Sequence, residues 1–112
     1  MGNSHIKVLN ILVVDDEPYV CDALKMLLAL DGHNVCTACN GAEALVIYER
    51  EAFDLVITDY SMPVMRGDEL AKKIKSRTPP QPILMVSALI ESLTASGRLP
   101  SGVDALMAKP FR

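Results

Sequence analysis

Val8-Leu9-Asn10-Ile11-Leu12-Val13-Val14-Asp15-Asp16-Glu17-Pro18 is the stretch whose reading decides the fold. Val8–Val14 is nearly continuous aliphatic, the pattern of a strand buried on both faces rather than one. Three acids then follow without a spacer, and Pro18 suits the first turn of a helix, where its missing N–H is harmless. Val20, Leu24, Leu27 and Leu28 fall on one helical face, and Asp31-Gly32 reads as the stop. A buried strand, an acidic turn and a covering helix are the opening of a parallel sheet.

The same alternation continues along the chain. Asn34–Thr37 reads as a second strand. Asn40 is a good N-cap, with Glu43 three residues on as its capping-box partner, for a helix to about Arg50. Asp54–Thr58 is a third strand, followed by a loop with Pro63 and Gly67. Asp68-Glu69 opens a helix that ends in Lys72, Lys73, Lys75 and Arg77, charges that complement its dipole. Thr78–Pro82 stops it, Ile83–Val86 is a fourth strand and Val103–Ala108 a short fifth. The segment Glu91–Ser101 should be a helix, yet it holds Gly97 and Pro100. A proline inside a helix costs about 3 kcal/mol, which predicts a short or irregular element ending before Leu99.

Composition narrows the classes. With 112 residues, half of them apolar, the chain suits a single domain (1–112), and a net charge of −3 gives no general pull toward nucleic acid or anionic lipid. No apolar run approaches the roughly 18 residues that span a bilayer, and Met1–His5 has no signal-peptide core. A cytoplasmic location follows as the expectation, with no direct nucleic-acid or membrane contact. Cys21, Cys36 and Cys39 are then reduced thiols. Cys36 and Cys39 have redox or zinc half-site spacing, but only His33 stands near as a further ligand. Small buried residues around a strand end are the preferred reading.

In a doubly wound sheet the binding crevice lies outside the C-terminal strand ends. Strand one ends in Asp15-Asp16-Glu17, strand three in Asp59, strand four in Ser87 and strand five in Lys109. Any one of these is unremarkable at a solvent-facing loop; together they define a site. At about 4 Å and an effective dielectric near 20, each like-charge pair costs on the order of 4 kcal/mol. One carboxylate must hold a proton, or a cation must sit among them, and Mg²⁺ suits oxygen ligands of this kind. With the metal and Lys109 present the cleft can accept a dianionic phosphoryl group, Ser87 can donate to it, and a carboxylate can attack phosphorus. Asp59, alone on its strand, is the nucleophile candidate, with Asp15 and Asp16 as metal ligands.

Val13-Val14-Asp15-Asp16-Glu17-Pro18, Asp59-Tyr60-Ser61-Met62-Pro63 with Gly67, Val86-Ser87-Ala88 and Ala108-Lys109-Pro110-Phe111 resemble, in order, the motifs of the receiver domain of two-component response regulators. The likeness runs from about Lys7 to the last residue. It implies a flavodoxin-like five-stranded sheet of order 2-1-3-4-5, and phosphotransfer to Asp59 from a sensor histidine kinase or phosphotransfer protein. It also implies Mg²⁺ on Asp16, Asp59 and the Ser61 backbone carbonyl, with Asp15 acting through water. Ser87 and Lys109 would contact phosphoryl oxygens, and the Lys109–Pro110 bond would be cis. Only self-catalysed phosphotransfer and autodephosphorylation are implied, with no separate enzyme activity.

Three departures qualify this. Leu106 stands where the family usually has a switch aromatic. The Glu91–Ser101 segment is an unusual fourth helix. The chain stops where the family has a fifth helix, so one side of strands one and five should lack cover: either the sequence is a truncated piece, or that flank is buried by a second copy or another chain. Ser61 and Leu89 occupy positions bordering the path of the hydrolytic water in the family. Met62 and Met65 read as loop packing. The alternative reading is a pseudo-receiver that binds proteins without phosphorylation. An aspartyl phosphatase would want an acid at position 61, and a flavin site a loop less acidic than Asp15–Glu17.

Overall fold

The computed structural model describes residues 7–88, 97 and 99–109. The elements, in chain order, are β1 (Asn10–Val14), α1 (Pro18–Leu30), β2 (Asn34–Ala38), α2 (Gly41–Arg50), β3 (Leu55–Asp59), α3 (Gly67–Arg77), β4 (Ile83–Ser87) and β5 (Ala105–Ala108). All four strand pairs are parallel, and the sheet runs β2-β1-β3-β4-β5. This is the flavodoxin-like order expected. The segment 89–96, the Lys109–Pro110 bond and Phe111 lie outside the described residues, so the expectations about the fourth helix, Leu89 and a cis proline fall there too.

Alternation along the strands builds two cores. Leu12 and Val14 of β1 join Val56, Ile83 and Met85 with Ala44 of α2 and Leu70, Ala71 and Ile74 of α3. Ile11 and Val13 face the other way, with Ile57, Val86 and Cys21, and with Leu24 and Leu28 of α1 packed on them. The aliphatic run of β1 is thus explained: every residue from Ile11 to Val14 is at most 1% exposed, because helices cover both sides.

The helix ends follow local chemistry. Gly32 takes φ +88° after α1, its N–H bonding to the Ala29 carbonyl and that of His33 to Leu28. That is the paired-bond termination which favours glycine. At α2 the Asn40 side chain accepts from the Glu43 N–H at 2.7 Å. The Glu43 carboxylate returns to the N–H of Cys39 rather than Asn40, one residue further back than the usual box.

Several details differ from the expectation. β1 starts two residues late, since Leu9 gives its N–H to His33 Nδ1 instead of the ladder. β5 starts two residues late because the Asp104 carboxylate takes the Ile83 N–H at 2.8 Å. Leu27 is exposed, not core, while Cys21 takes a buried place on the α1 face. Of the cysteines only Cys21 is buried: Cys36 is half-buried beside Glu51, and Cys39 is exposed in the turn. His33 is engaged by Leu9, and among the described residues the grouping that could hold a metal ion is Asp15, Asp16 and Asp59, not the cysteine pair.

The uncovered flank also differs. β1 is covered on both faces, whereas β5 exposes Ala105, Met107 and Ala108. Exposed large apolar side chains include Met107 on β5 and Met26, Leu27 and Leu30 on the outer side of α1. No helix among the described residues is long and apolar enough to cross a membrane.

Because the cap closes a helix against the main core, Asn40→Ala should lower unfolding free energy by about 1 kcal/mol in urea titrations, while Asn40→Asp should cost only tenths.

Candidate functional site

Parallel strands end on one rim, and the strand order sets the neighbours there. Val14 is level with Thr58 on β3, Asp59 with Val86 on β4, and Ser87 with Ala108 on β5. Asp15 continues β1, its N–H still bonded to the Ala38 carbonyl at 3.1 Å, so it comes to rest beside Asp59. Carboxylate oxygens of Asp15, Asp16 and Asp59 lie within 4.8 Å of one another. Asp15 and Asp59 are 3% and 5% exposed, while Asp16 stands more open at the rim. Lys109 leaves β5 with its N–H on the Ser87 carbonyl. Its ammonium reaches back across the sheet to Asp15 and Glu17, both at 3.2 Å, and to Asp59 at 3.5 Å.

Burial and mutual repulsion dominate the electrostatics. Burial first, and then the Asp15 charge, push the Asp59 carboxyl up to about 6 against the pull of Lys109. Burial likewise raises Asp15, although the Glu17 N–H donates to its Oδ1 at 2.9 Å and Lys109 to its other oxygen. Burial works against the Lys109 charge, but Asp15, Asp59 and Glu17 outweigh it and hold the ammonium above the usual lysine range. One cation for this many carboxylates leaves the cleft negative. A hard divalent cation is what such an oxygen set accommodates.

The β3–α3 loop shapes the other wall. Gly67 is packed so closely that a Cβ there would sit 2.0 Å from the Asp59 carbonyl oxygen, and its N–H donates to Tyr60 at 2.8 Å. Only glycine lets the start of α3 approach the acceptor strand this way. Met65 donates to the Pro63 carbonyl at 2.7 Å across Val64, which takes φ +71°. That three-residue turn is strained for a β-branched side chain, and Val64 is fully exposed. Met62 is buried below, as loop packing, and Arg66 lies over the Tyr60 ring.

A cleft of about 240 Å³ opens between these walls, lined by Asp16, Glu17, Asp59, Ser61, Ser87, Ala88 and Lys109. The sequence-derived candidates therefore converge, with Asp15 buried behind the lining and joined to it through Lys109. A larger, mostly apolar hollow lies beside the cleft, near Gly41 and Met65. Sequence reading gave Glu17 no role although it is a Lys109 partner, and overlooked Tyr19, whose hydroxyl donates to Glu17 at 2.9 Å. The third consecutive acid was the available signal.

This fold and rim define a receiver-type signalling domain. The response regulator receiver domain family matches residues 11–112, so the chain belongs to that family. It is 39% identical over 101 residues to the alkaline phosphatase synthesis transcriptional regulatory protein PhoP of Bacillus subtilis, covering 90% of this chain and 42% of that protein. It is 38% identical over 102 residues to the probable transcriptional regulator ycf27 of Cyanidium caldarium, covering 91% and 41%. The chain thus spans about two fifths of the length of these curated relatives. Among solved structures it resembles the response regulator TrrA of Thermotoga maritima in complex with Mg²⁺-BeF (TM-score 0.79, 35% identity, 92% of this chain and 88% of that one). It also resembles the chemotaxis protein CheY4 of Vibrio cholerae (TM-score 0.81, 29% identity, 95% and 90%).

Two measurements bear on this geometry. A carboxyl that holds its proton more tightly folded than unfolded favours the fold at low pH, and that contribution disappears as pH rises through the folded value. Without divalent cations, stability should therefore fall between about pH 4 and 7 on account of Asp59. Asn at position 59 should remove that fall and raise the melting temperature at pH 7.5, by up to about 2–3 kcal/mol of stability. Separately, Gly67→Ala should cost about 3 kcal/mol in denaturant titrations, from backbone overpacking against Asp59.

Proposed function

We propose that this chain accepts a phosphoryl group on Asp59 from the phosphohistidine of a sensor kinase or phosphotransfer protein. The observation that carries the reading is the buried Asp59 carboxylate sharing one cleft with Asp15, Asp16 and the Lys109 ammonium. An Asp59 oxygen bonds to phosphorus as the phosphorus–nitrogen bond of the donor breaks, and the released imidazole takes its proton from water. Lys109 neutralises developing charge on the equatorial oxygens, and Ser87, at the next strand end, is within the same cleft to donate a hydrogen bond. Asp15, Asp16, Asp59 and the Ser61 carbonyl are the groups that would hold Mg²⁺. When bound, the metal supplies the positive charge that one lysine cannot. The same machinery run with water gives autodephosphorylation.

The mixed fit of the relatives bears on the output. TrrA was crystallised with Mg²⁺-BeF, and PhoP is a transcriptional regulator over a length more than twice that matched here. The receiver reading thus concerns the input step, in the cytoplasm, with any nucleic-acid contact belonging to other segments. A second copy or a partner chain over the exposed β5 flank belongs to the same reading. Leu106, half-buried against the main core, leaves the Ser87 movement uncoupled from an aromatic swing.

Incubation with Mg²⁺ and acetyl phosphate should add one phosphoryl group by intact mass, and Asp59→Asn should add none. An unchanged mass, together with no Mg²⁺ binding, would leave a phosphorylation-independent interaction module instead.

A further inference from the structure

An ammonium has three protons to give, and Lys109 spends them on three carboxylates. Asp15 and Asp59 are buried and belong to the cleft's own chemistry. Glu17 is different. Its side chain is 43% exposed, against 4% and 6% for the other two, yet it stands as near to the ammonium as Asp15 and nearer than Asp59.

Glu17 is also held. Its Oε1 takes Lys109 at 3.2 Å while its Oε2 accepts the Tyr19 hydroxyl at 2.9 Å, so separate donors fix the two oxygens. Tyr19 belongs to the first turn of α1, which makes the clamp part of that helix. Glu17 occupies the N-cap of α1, yet its side chain makes no capping bond. Pro18 has no N–H to offer, and the Val20 and Cys21 N–H groups bond to the Glu17 backbone carbonyl, so the start of the helix makes little demand on this side chain. It is turned into the cleft instead.

From this geometry we infer that Glu17, clamped by Tyr19, is a positioning residue that draws the Lys109 ammonium toward α1 in the resting cleft. Capture of a phosphoryl group at Asp59 then proceeds by exchange of Lys109 from Glu17 to the incoming oxygen. The inference rests on the phosphoryl-acceptor reading above and adds a residue to it. Exchange at Glu17 is the least costly of the three, since water can solvate the carboxylate that is released, whereas Asp15 would be left buried with its charge opposed only by the Glu17 N–H. The clamp thereby sets how readily Lys109 becomes available.

The test uses the full chain with saturating Mg²⁺, titrated with beryllofluoride as phosphoryl mimic and followed by amide NMR. Glu17→Gln removes the charge; Glu17→Asp keeps it but is one methylene too short to hold Lys109 and Tyr19 together. Both should tighten beryllofluoride binding about two- to fivefold, the range for a partly exposed ion pair. Tyr19→Phe should act in the same direction but less, and add nothing to Glu17→Gln, as expected for a residue acting through another. A Glu17→Asp variant that matches the unmodified protein while Glu17→Gln tightens would reduce Glu17 to simple charge and overturn the inference. Unchanged or weakened binding in both would overturn it too. Absence of beryllofluoride binding in the unmodified protein would instead count against the phosphoryl-acceptor reading. The clamp is then judged in the metal-free protein by the Lys109 ammonium resonance, which must move in Glu17→Asp; a resonance that stays put overturns it.

Discussion

Repulsion between buried carboxylates is the constraint around which this molecule is arranged. Asp15 and Asp59 are almost fully withdrawn from water at adjacent strand ends, with Asp16 beside them. Nothing in an aliphatic sheet favours that, and the raised Asp59 carboxyl records the cost. Lys109 offsets part of it from the far end of the sheet, which ties β5 electrostatically to β1 and β3 across β4. A site so arranged gains from further positive charge, and the stability of the fold is thereby linked to whatever supplies it.

The scaffold meets this demand with rigid backbone rather than with loops. Four strand ends deliver the acids, the serine and the lysine, and their register is held by parallel ladders covered on both sides around β1 and β3. The β3–α3 loop adds the tight contact of Gly67 on the Asp59 backbone and the strained turn at Val64. Strain and close packing beside the acceptor leave Asp59 little freedom, and positional precision of that kind is what an in-line transfer requires. Exposed apolar side chains also stand away from the cleft, among them Met107 of β5 and Met26, Leu27 and Leu30 of α1.

Much of this was legible in the residues. Val8–Val14 announced a doubly covered strand, Asp31-Gly32 and Asn40 marked helix ends, and the acids, Ser87 and Lys109 stood at strand ends. Boundaries slipped by two residues at β1 and β5, since His33 and Asp104 captured backbone N–H groups through side chains distant in sequence. Leu27 fitted the apolar stripe of α1 but falls outside the contact. Stripe position does not say how much of a helix face a sheet covers.

What the sequence determined by itself was local and periodic: which segments are strands or helices, which faces are apolar, and which strand ends carry charge. These follow from backbone geometry and side-chain alternation over a few residues. Only the tertiary structure decided which charges meet. Lys109 lies 92 residues from Glu17, and their contact depends on strand order, on α1 turning Tyr19 toward the cleft, and on a cap that is left unused. Such a pairing is an outcome of distance in space, and no spacing along the chain encodes it.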